Sequence, residues 1–341
     1  MAKAIDAQEL LLSLLRCRSR REVVDALRSL GDDDSIGLDE PFGPYDVRWV
    51  PFGGNASNIS TIGLGTKPGK SLTERLTNAI DALLEERAQQ TKGELPESPR
   101  KAAEEWFGRP MSGPDSGLFL GLPAAVDRRI AVVLLDSGAE EAPTVDVIDQ
   151  GVGILPADLQ GTILSLQAGN KIKKKHQIGA FGQGGSSTLG FSDFVLVVSR
   201  PRVSPSVVGF TVIKVMRLDA TYKEDCYAYL VGSDGRPLAA ALGSPEVRLD
   251  IYERNDNVAM PELAKGTLVR HVGYRLSGVS KGLAPSPGNL YHYLHYSLFD
   301  PLLPLRIFDV RTPGSERGEY VGGSRNRLMP ATGRQRDANE G

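Results

Sequence analysis

At 341 residues, with 40% hydrophobic and 24% charged residues and a formal net charge of −2, the chain has the composition of a globular protein able to bury a sizeable core. The near balance of charge gives no global argument for nucleic acid or membrane, and no stretch is long and apolar enough to span a bilayer. The two cysteines, Cys17 and Cys226, lie far apart and match no metal or disulfide framework, so a reducing, cytoplasmic setting is expected.

Residues 5–30 read as two short helices, with Leu10, Leu11, Leu14 and Leu15 on one face of the first. The basic cluster Arg16–Arg21 between them reads as a solvated junction rather than a phosphate site. Asp32–Pro44 is an acidic, Gly- and Pro-rich linker, Asp46–Phe52 a short strand, and Gly53–Gly69 a Gly-, Ser- and Asn-rich loop. Ser71–Gln90 is the strongest helix. Ser71 is placed as N-cap with Glu74 completing a capping box, and Leu72, Leu76, Ala79, Ile80 and Leu83 form the apolar stripe. Glu74, Asn78 and Asp81 recur at spacings of four and three, hence on one face. That set could hold a water beside a hard cation; the bland alternative is a capping glutamate with ordinary exposed polar neighbours.

Thr91–Arg100 reads as a polar loop, Lys101–Phe107 as a helix continuation and Arg109–Asp127 as irregular. Arg129–Leu135 and Thr144–Asp149 form an antiparallel hairpin. Asp193–Ser199, Ser206–Arg217, Asp225–Val231, Val247–Tyr252 and Gly266–Leu276 are further strands, with a turn at Ser233-Asp234-Gly235. Asn289–Leu298 carries a helical face and Leu305–Val310 a strand. His292 and His295 sit at i, i+3, but no acidic or cysteine partners accompany them, so they read as packed or exposed aromatic residues. The polar tail closes no recognisable element, which leaves open that the chain is part of a longer protein.

The segment Val145–Phe191 carries the chemistry. A strand ends in Asp149, followed by Gly151 and Gly153; a lysine-bearing segment follows; then Gly179, Gly182, Gly184 and Gly185 open a helix. A carboxylate can accept from a base amino group, glycines let backbone approach a ligand, and a helix start offers free N–H groups to phosphate. No G-x-x-x-x-G-K-[ST] run is present, which disfavours a classical phosphate loop.

Four motifs in this order resemble the GHKL superfamily of ATPases, over roughly residues 46 to 276. The superfamily includes gyrase B, heat-shock chaperone, MutL and Microrchidia ATPases and the bacterial sensor histidine kinases. By that resemblance Glu74 is the general base and Asn78 the Mg²⁺ ligand, with Asp81 on the same nucleotide-binding face. Asp149 would read adenine over the turn made by Gly151 and Gly153, with Ile154 beside it. The amides of Gly179, Phe181, Gly182, Gln183, Gly184 and Gly185 would wrap the phosphates, and Thr267 would reach the adenine region. The segment between the second and third motifs would be a lid. One or more of Lys171, Lys173, Lys174 and Lys175 would meet the triphosphate, while His176 reads as a surface residue.

The implied fold is α+β, the Bergerat ATP-binding fold: a two-layer sandwich with helices on one face of a mixed, mostly antiparallel sheet. Residues 1–45 would be a helical extension, 46–280 the ATP-binding domain and 281–341 the start of a transducer-like or second domain. The implied function is Mg-dependent ATP hydrolysis, with lid closure and homodimerisation acting as a switch on DNA or a protein partner. In dimeric members of the superfamily such an N-terminal arm often crosses to the partner subunit, and residues 1–50 could do the same. Two alternatives stay open. One is a sensor-kinase catalytic domain, although Glu74 stands where kinases usually carry Asn and no histidine precedes His176. The other is a nucleotide-regulated module without turnover.

Overall fold

The hairpin expected near residue 140 lies inside the sheet, with a neighbouring strand on each side. The computed structural model describes residues 6–33, 35–60, 62, 67–110, 129–166, 174–179, 184–218, 224–253, 260–276, 289–311 and 318–328. Strand β2 (Ile130–Leu135) pairs antiparallel with β3 (Thr144–Asp149), and every residue of both is buried. A strand covered on both sides needs apolar residues in both phases of its alternation, which IAVVLL supplies. Ile130, Val132 and Leu134 pack on one face of the sheet, and Ala131, Val133 and Leu135 on the other.

Among the described residues the sheet has ten strands. The remaining ones are β1 (Arg48–Pro51), β4 (Phe194–Arg200), β5 (Val207–Met216), β6 (Cys226–Val231), β7 (Leu238–Ala241), β8 (Gly266–Val272), β9 (Leu305–Asp309) and β10 (Glu319–Val321). Their order is β1-β6-β5-β4-β8-β3-β2-β9-β10, with β7 on the first half of β5. The β2–β9 pairing is parallel and the others are antiparallel. This is an α+β protein on a large, mixed, mostly antiparallel sheet.

Helix α3 (Pro68–Gln90) lies across β2 and β3. Its Leu72, Leu76, Ala79, Ile80, Leu83 and Leu84 pack on Val132, Leu134, Val145 and Val147. Each large apolar side chain buried this way contributes about 1.5–3 kcal/mol before chain entropy is charged. The helix starts earlier than the capping reading placed it. Pro68 occupies the first turn, where its fixed φ favours a helix and its missing N–H costs nothing. Ser71 is therefore inside the helix, its Oγ donating back to the Lys67 carbonyl at 3.4 Å, and no capping box with Glu74 forms. Helix α4 (Pro99–Phe107) and helix α5 (Leu290–Ser297) complete this layer, α5 lying directly on α3.

Helices α1 (Ala7–Arg16) and α2 (Arg20–Arg28) correct the expectation of helices on one face. Leu10, Leu11, Leu14, Leu15, Val23 and Leu27 bury against the opposite face of the sheet, with Ala131, Val133, Phe194, Leu196 and Phe210. That face is as apolar as the α3 face and needs its own cover. The segment expected to begin a second unit supplies α5 to the α3 layer and two strands, β9 and β10, to the same sheet.

Two further strand readings change. Residues 247–252 form no strand among the described residues, although Leu249 and Ile251 are buried. The Arg200 guanidinium takes the Pro245 and Val247 carbonyls at 2.7 and 2.8 Å, so it replaces a ladder there. Strand β7 was not expected, because Leu-Ala-Ala-Ala has weak strand propensity; its place is set by pairing with β5.

Candidate nucleotide site

Helix α3 adjoins the end of β3 at Ala82, and the start of β8 and the end of β4 lie alongside. Asp149 closes β3 and shares the phase of Val145 and Val147, so it points to the α3 side. Its register partner on β8 is Thr267, and Thr267 is paired in turn with Ser199 on β4. Asp149, Thr267 and Ser199 thus form a polar row across three adjacent strands. The Ser199 and Thr267 hydroxyls are 2.9 Å apart, and Ser199 Oγ accepts from the Ile154 N–H at 2.8 Å.

Asp149 is buried, and its Oδ1 accepts the Gly151 N–H at 2.8 Å. Burial pushes its carboxyl up to about 7, against the opposing pull of the Gly151 and Thr267 amides and the Arg129 charge. Gly151 lies flush on the helix: a side-chain carbon there would stand 2.6 Å from the Ala82 backbone. The Val152 N–H donates to the Ala82 carbonyl at 3.1 Å, which fixes the turn on α3. Gly153 has φ +67, and a side-chain carbon would meet the Arg200 carbonyl oxygen at 2.3 Å. The second motif is therefore clamped between helix and sheet.

On α3, Glu74 is exposed and makes no hydrogen bond or ion pair with the described residues. Asn78 is partly buried one turn further on. Asp81 is buried, and its two oxygens accept the Ile178 and Gly179 amides at 2.6 and 3.0 Å. Its visible role is thus to anchor the third motif. Gly184 and Gly185 open a 3-10 helix, Gly184–Phe191, that packs on α3. A run of Gly, Ser and Thr has poor α propensity, which accounts for the tighter helix. Lys171, Lys173, Phe181, Gly182 and Gln183 lie outside the described residues.

Several residues at the site were not singled out by sequence reasoning. Glu85 accepts from Lys174 at 2.8 Å and Gln177 at 2.9 Å and faces His176 at 3.2 Å. Burial works to raise its carboxyl, but the bonds from Lys174 and His176 outweigh it and hold Glu85 below the usual range. His176 is buried beside Trp106, not on the surface, and Lys174 is engaged with α3. Glu86 is buried and bonded by Arg129 and Lys265, while Arg129 also donates to the Gln150 carbonyl at 2.6 Å. This knot pins the peptide that follows Asp149. The spacing carried a signal for Glu85, since it continues the Glu74, Asn78, Asp81 series by four. Ser199 and Arg129 carried none, because only strand pairing brings them to Asp149.

The residues present suit a nucleotide carrying its own cation. Asp149, Thr267, Asn78 and Glu74 are oxygen donors, the ligand type that Mg²⁺ prefers. Among the described residues no group of three or more His, Cys, Asp or Glu side chains is placed to hold a metal. A cation held by one side chain and the phosphates fits that arrangement; an all-protein metal cage does not. No protein-family model matches the chain, and no curated protein matches its sequence.

Proposed function

We propose that the chain binds ATP with Mg²⁺ and hydrolyses it. The observation that carries this reading is the pairing of two faces: buried Asp149, beside a glycine turn pressed on Ala82, and the Glu74–Asn78–Asp81 face of the same helix.

The Asp149 carboxylate receives the Gly151 and Thr267 amides, and its remaining lone pairs can accept an exocyclic amine. Adenine offers such an amine. A 6-oxo purine presents an acceptor at the same edge, which the carboxylate repels once it is ionised, above about pH 7. Thr267 and Ser199 extend the polar row beside it. The Asn78 side chain supplies a neutral oxygen for the cation, and Asp81, by accepting the Ile178 and Gly179 N–H groups, anchors the start of the glycine segment beside the phosphate end. Bound with the nucleotide, Mg²⁺ would neutralise charge on the phosphate oxygens. Glu74, exposed and unpaired among the described residues, orients a water and takes its proton as the water oxygen bonds to the γ-phosphorus and the bond to the β–γ bridging oxygen breaks, releasing ADP and phosphate. The resemblance to GHKL ATPases adds the output: ATP-dependent pairing of two copies that acts on DNA or a protein.

The test is phosphate release. Glu74→Gln abolishes release while ATP binding persists. Wild-type protein that releases no more phosphate than this variant in excess ATP and Mg²⁺ contradicts hydrolysis and leaves a nucleotide-regulated module. Radiolabel transferred from the γ-phosphate to protein supports the kinase alternative instead.

A further inference from the structure

Five arginines are buried among the described residues: Arg75, Arg109, Arg129, Arg200 and Arg270. Four have their charge answered. Arg109 pairs with Asp300, Arg129 with Glu86 and Arg270 with Asp146, and Arg200 donates to four backbone carbonyls. Arg75 is the exception. At 5% exposure its Nε donates to the Thr188 hydroxyl at 3.2 Å, and no carboxylate pairs with it among the described residues. The neighbouring Tyr274 hydroxyl is kept neutral by burial, and it donates to the Pro68 carbonyl.

Among the described residues the surroundings hold no carboxylate. His271 sits close enough to feel the charge of Arg75. Burial first, and Arg75 second, push its pKa down to about 3, so the ring is neutral. Its Nδ1 donates to the Val145 carbonyl at 3.0 Å, and its Nε2 has no partner among the described residues. Burial lowers the Arg75 guanidinium to about 10, which leaves it charged at neutral pH. A buried cation without a counter-charge is strongly unfavourable, because desolvation is not offset by a partner.

Position shows where a counter-charge would enter. Arg75 follows Glu74 on α3, and Thr188 lies one turn beyond Gly184 and Gly185 on the 3-10 helix. These two elements are the ones assigned above to the phosphate end of the nucleotide. We propose that Arg75 is a phosphate-binding residue, and that the triphosphate of the bound nucleotide supplies the negative charge its pocket lacks. This inference rests on the ATP reading. It adds a cation within the α3 turn that carries Glu74, independent of the lysines at 171–175.

Calorimetric titration of ATP and of adenosine into wild type, Arg75→Met, Arg75→Lys and Asp149→Asn tests it, with thermal melts of each protein without nucleotide. Arg75→Met weakens ATP by about tenfold to a hundredfold and leaves adenosine unchanged. The same variant melts at or above wild type, since an uncompensated charge has been removed. Arg75→Lys keeps the charge and recovers part of the ATP affinity. Unchanged ATP affinity in both variants, or equal losses for ATP and adenosine, overturns the inference. Should Arg75→Met fail to fold, Arg75→Lys and Arg75→Gln, which retain a donor, carry the same comparison. ATP binding that Asp149→Asn removes but Arg75→Met spares overturns only this inference. Wild type that binds neither ligand overturns the ATP reading and this inference with it.

Discussion

Asp146 and Asp149 stand three residues apart on one strand, both buried, on opposite faces of the sheet. Asp146 is closed. Its register partner Arg270 clasps it with two bonds of 2.9 and 2.8 Å, and the Tyr252 hydroxyl adds a third at 2.9 Å. The same guanidinium reaches the Leu15 and Cys17 carbonyls, which ties α1 to the sheet. Asp149 is open. Its register partner is a threonine, its carboxyl is met among the described residues by two backbone amides, those of Gly151 and Thr267, and burial raises it to about 7. One strand therefore carries a carboxylate answered by a guanidinium and another that, among the described residues, is met by backbone amides. Arg270 and Arg75 repeat the contrast among cations: one answered on the α1 side, one unanswered on the α3 side.

The contrast can be broken most severely on the closed side. Arg270→Met leaves Asp146 charged in the core, and chemical denaturation should show a loss of about 3–5 kcal/mol. The double variant Arg270→Met with Asp146→Leu should recover much of it. Next comes Gly151→Ala, where the added carbon meets the Ala82 backbone at 2.6 Å. Neither partner is a flexible side-chain end, so the turn must shift, at a cost of about 1–3 kcal/mol and with loss of ATP binding.

Asp149→Asn has the opposite sign for stability. The folded protein holds a proton on Asp149 up to about pH 7, whereas the unfolded chain releases it near the usual 3.8. Between those values the native state binds more protons, so wild-type stability falls as pH rises through the window. The variant should lack that slope and melt above wild type at pH 8; a wild-type slope retained in the variant assigns the titration elsewhere. The smallest stability change belongs to Glu74→Gln, within about 0.5 kcal/mol because the side chain is exposed, although phosphate release should vanish.

The legible parts of the molecule were those written in local periodicity. The α3 stripe and its Glu74, Asn78, Asp81 face follow from helical spacing, and the β2–β3 hairpin from its apolar runs. What pairing and burial decide was not legible. Ser199 reaches Thr267 only because β4 lies beside β8, and Arg129 reaches Gln150 only because β2 begins where β3 ends. The second cover of the sheet was missed for a similar reason. An amphipathic N-terminal helix states that it needs a partner surface, not which face provides it. His176 looked solvated among lysines; Glu85 and Trp106, both distant in sequence, bury it. Arg75 could have been noticed as a cation between Leu72 and Ala79, but its isolation is visible only in three dimensions.

The most direct measurement is calorimetric titration of ATP with Mg²⁺ at pH 8, wild type against Asp149→Asn. If Asp149 is held open for an adenine amine, wild type binds and the variant binds at least about tenfold more weakly, while remaining folded and at least as heat-stable. Equal affinity in the two proteins, or no binding by folded wild type, contradicts the account.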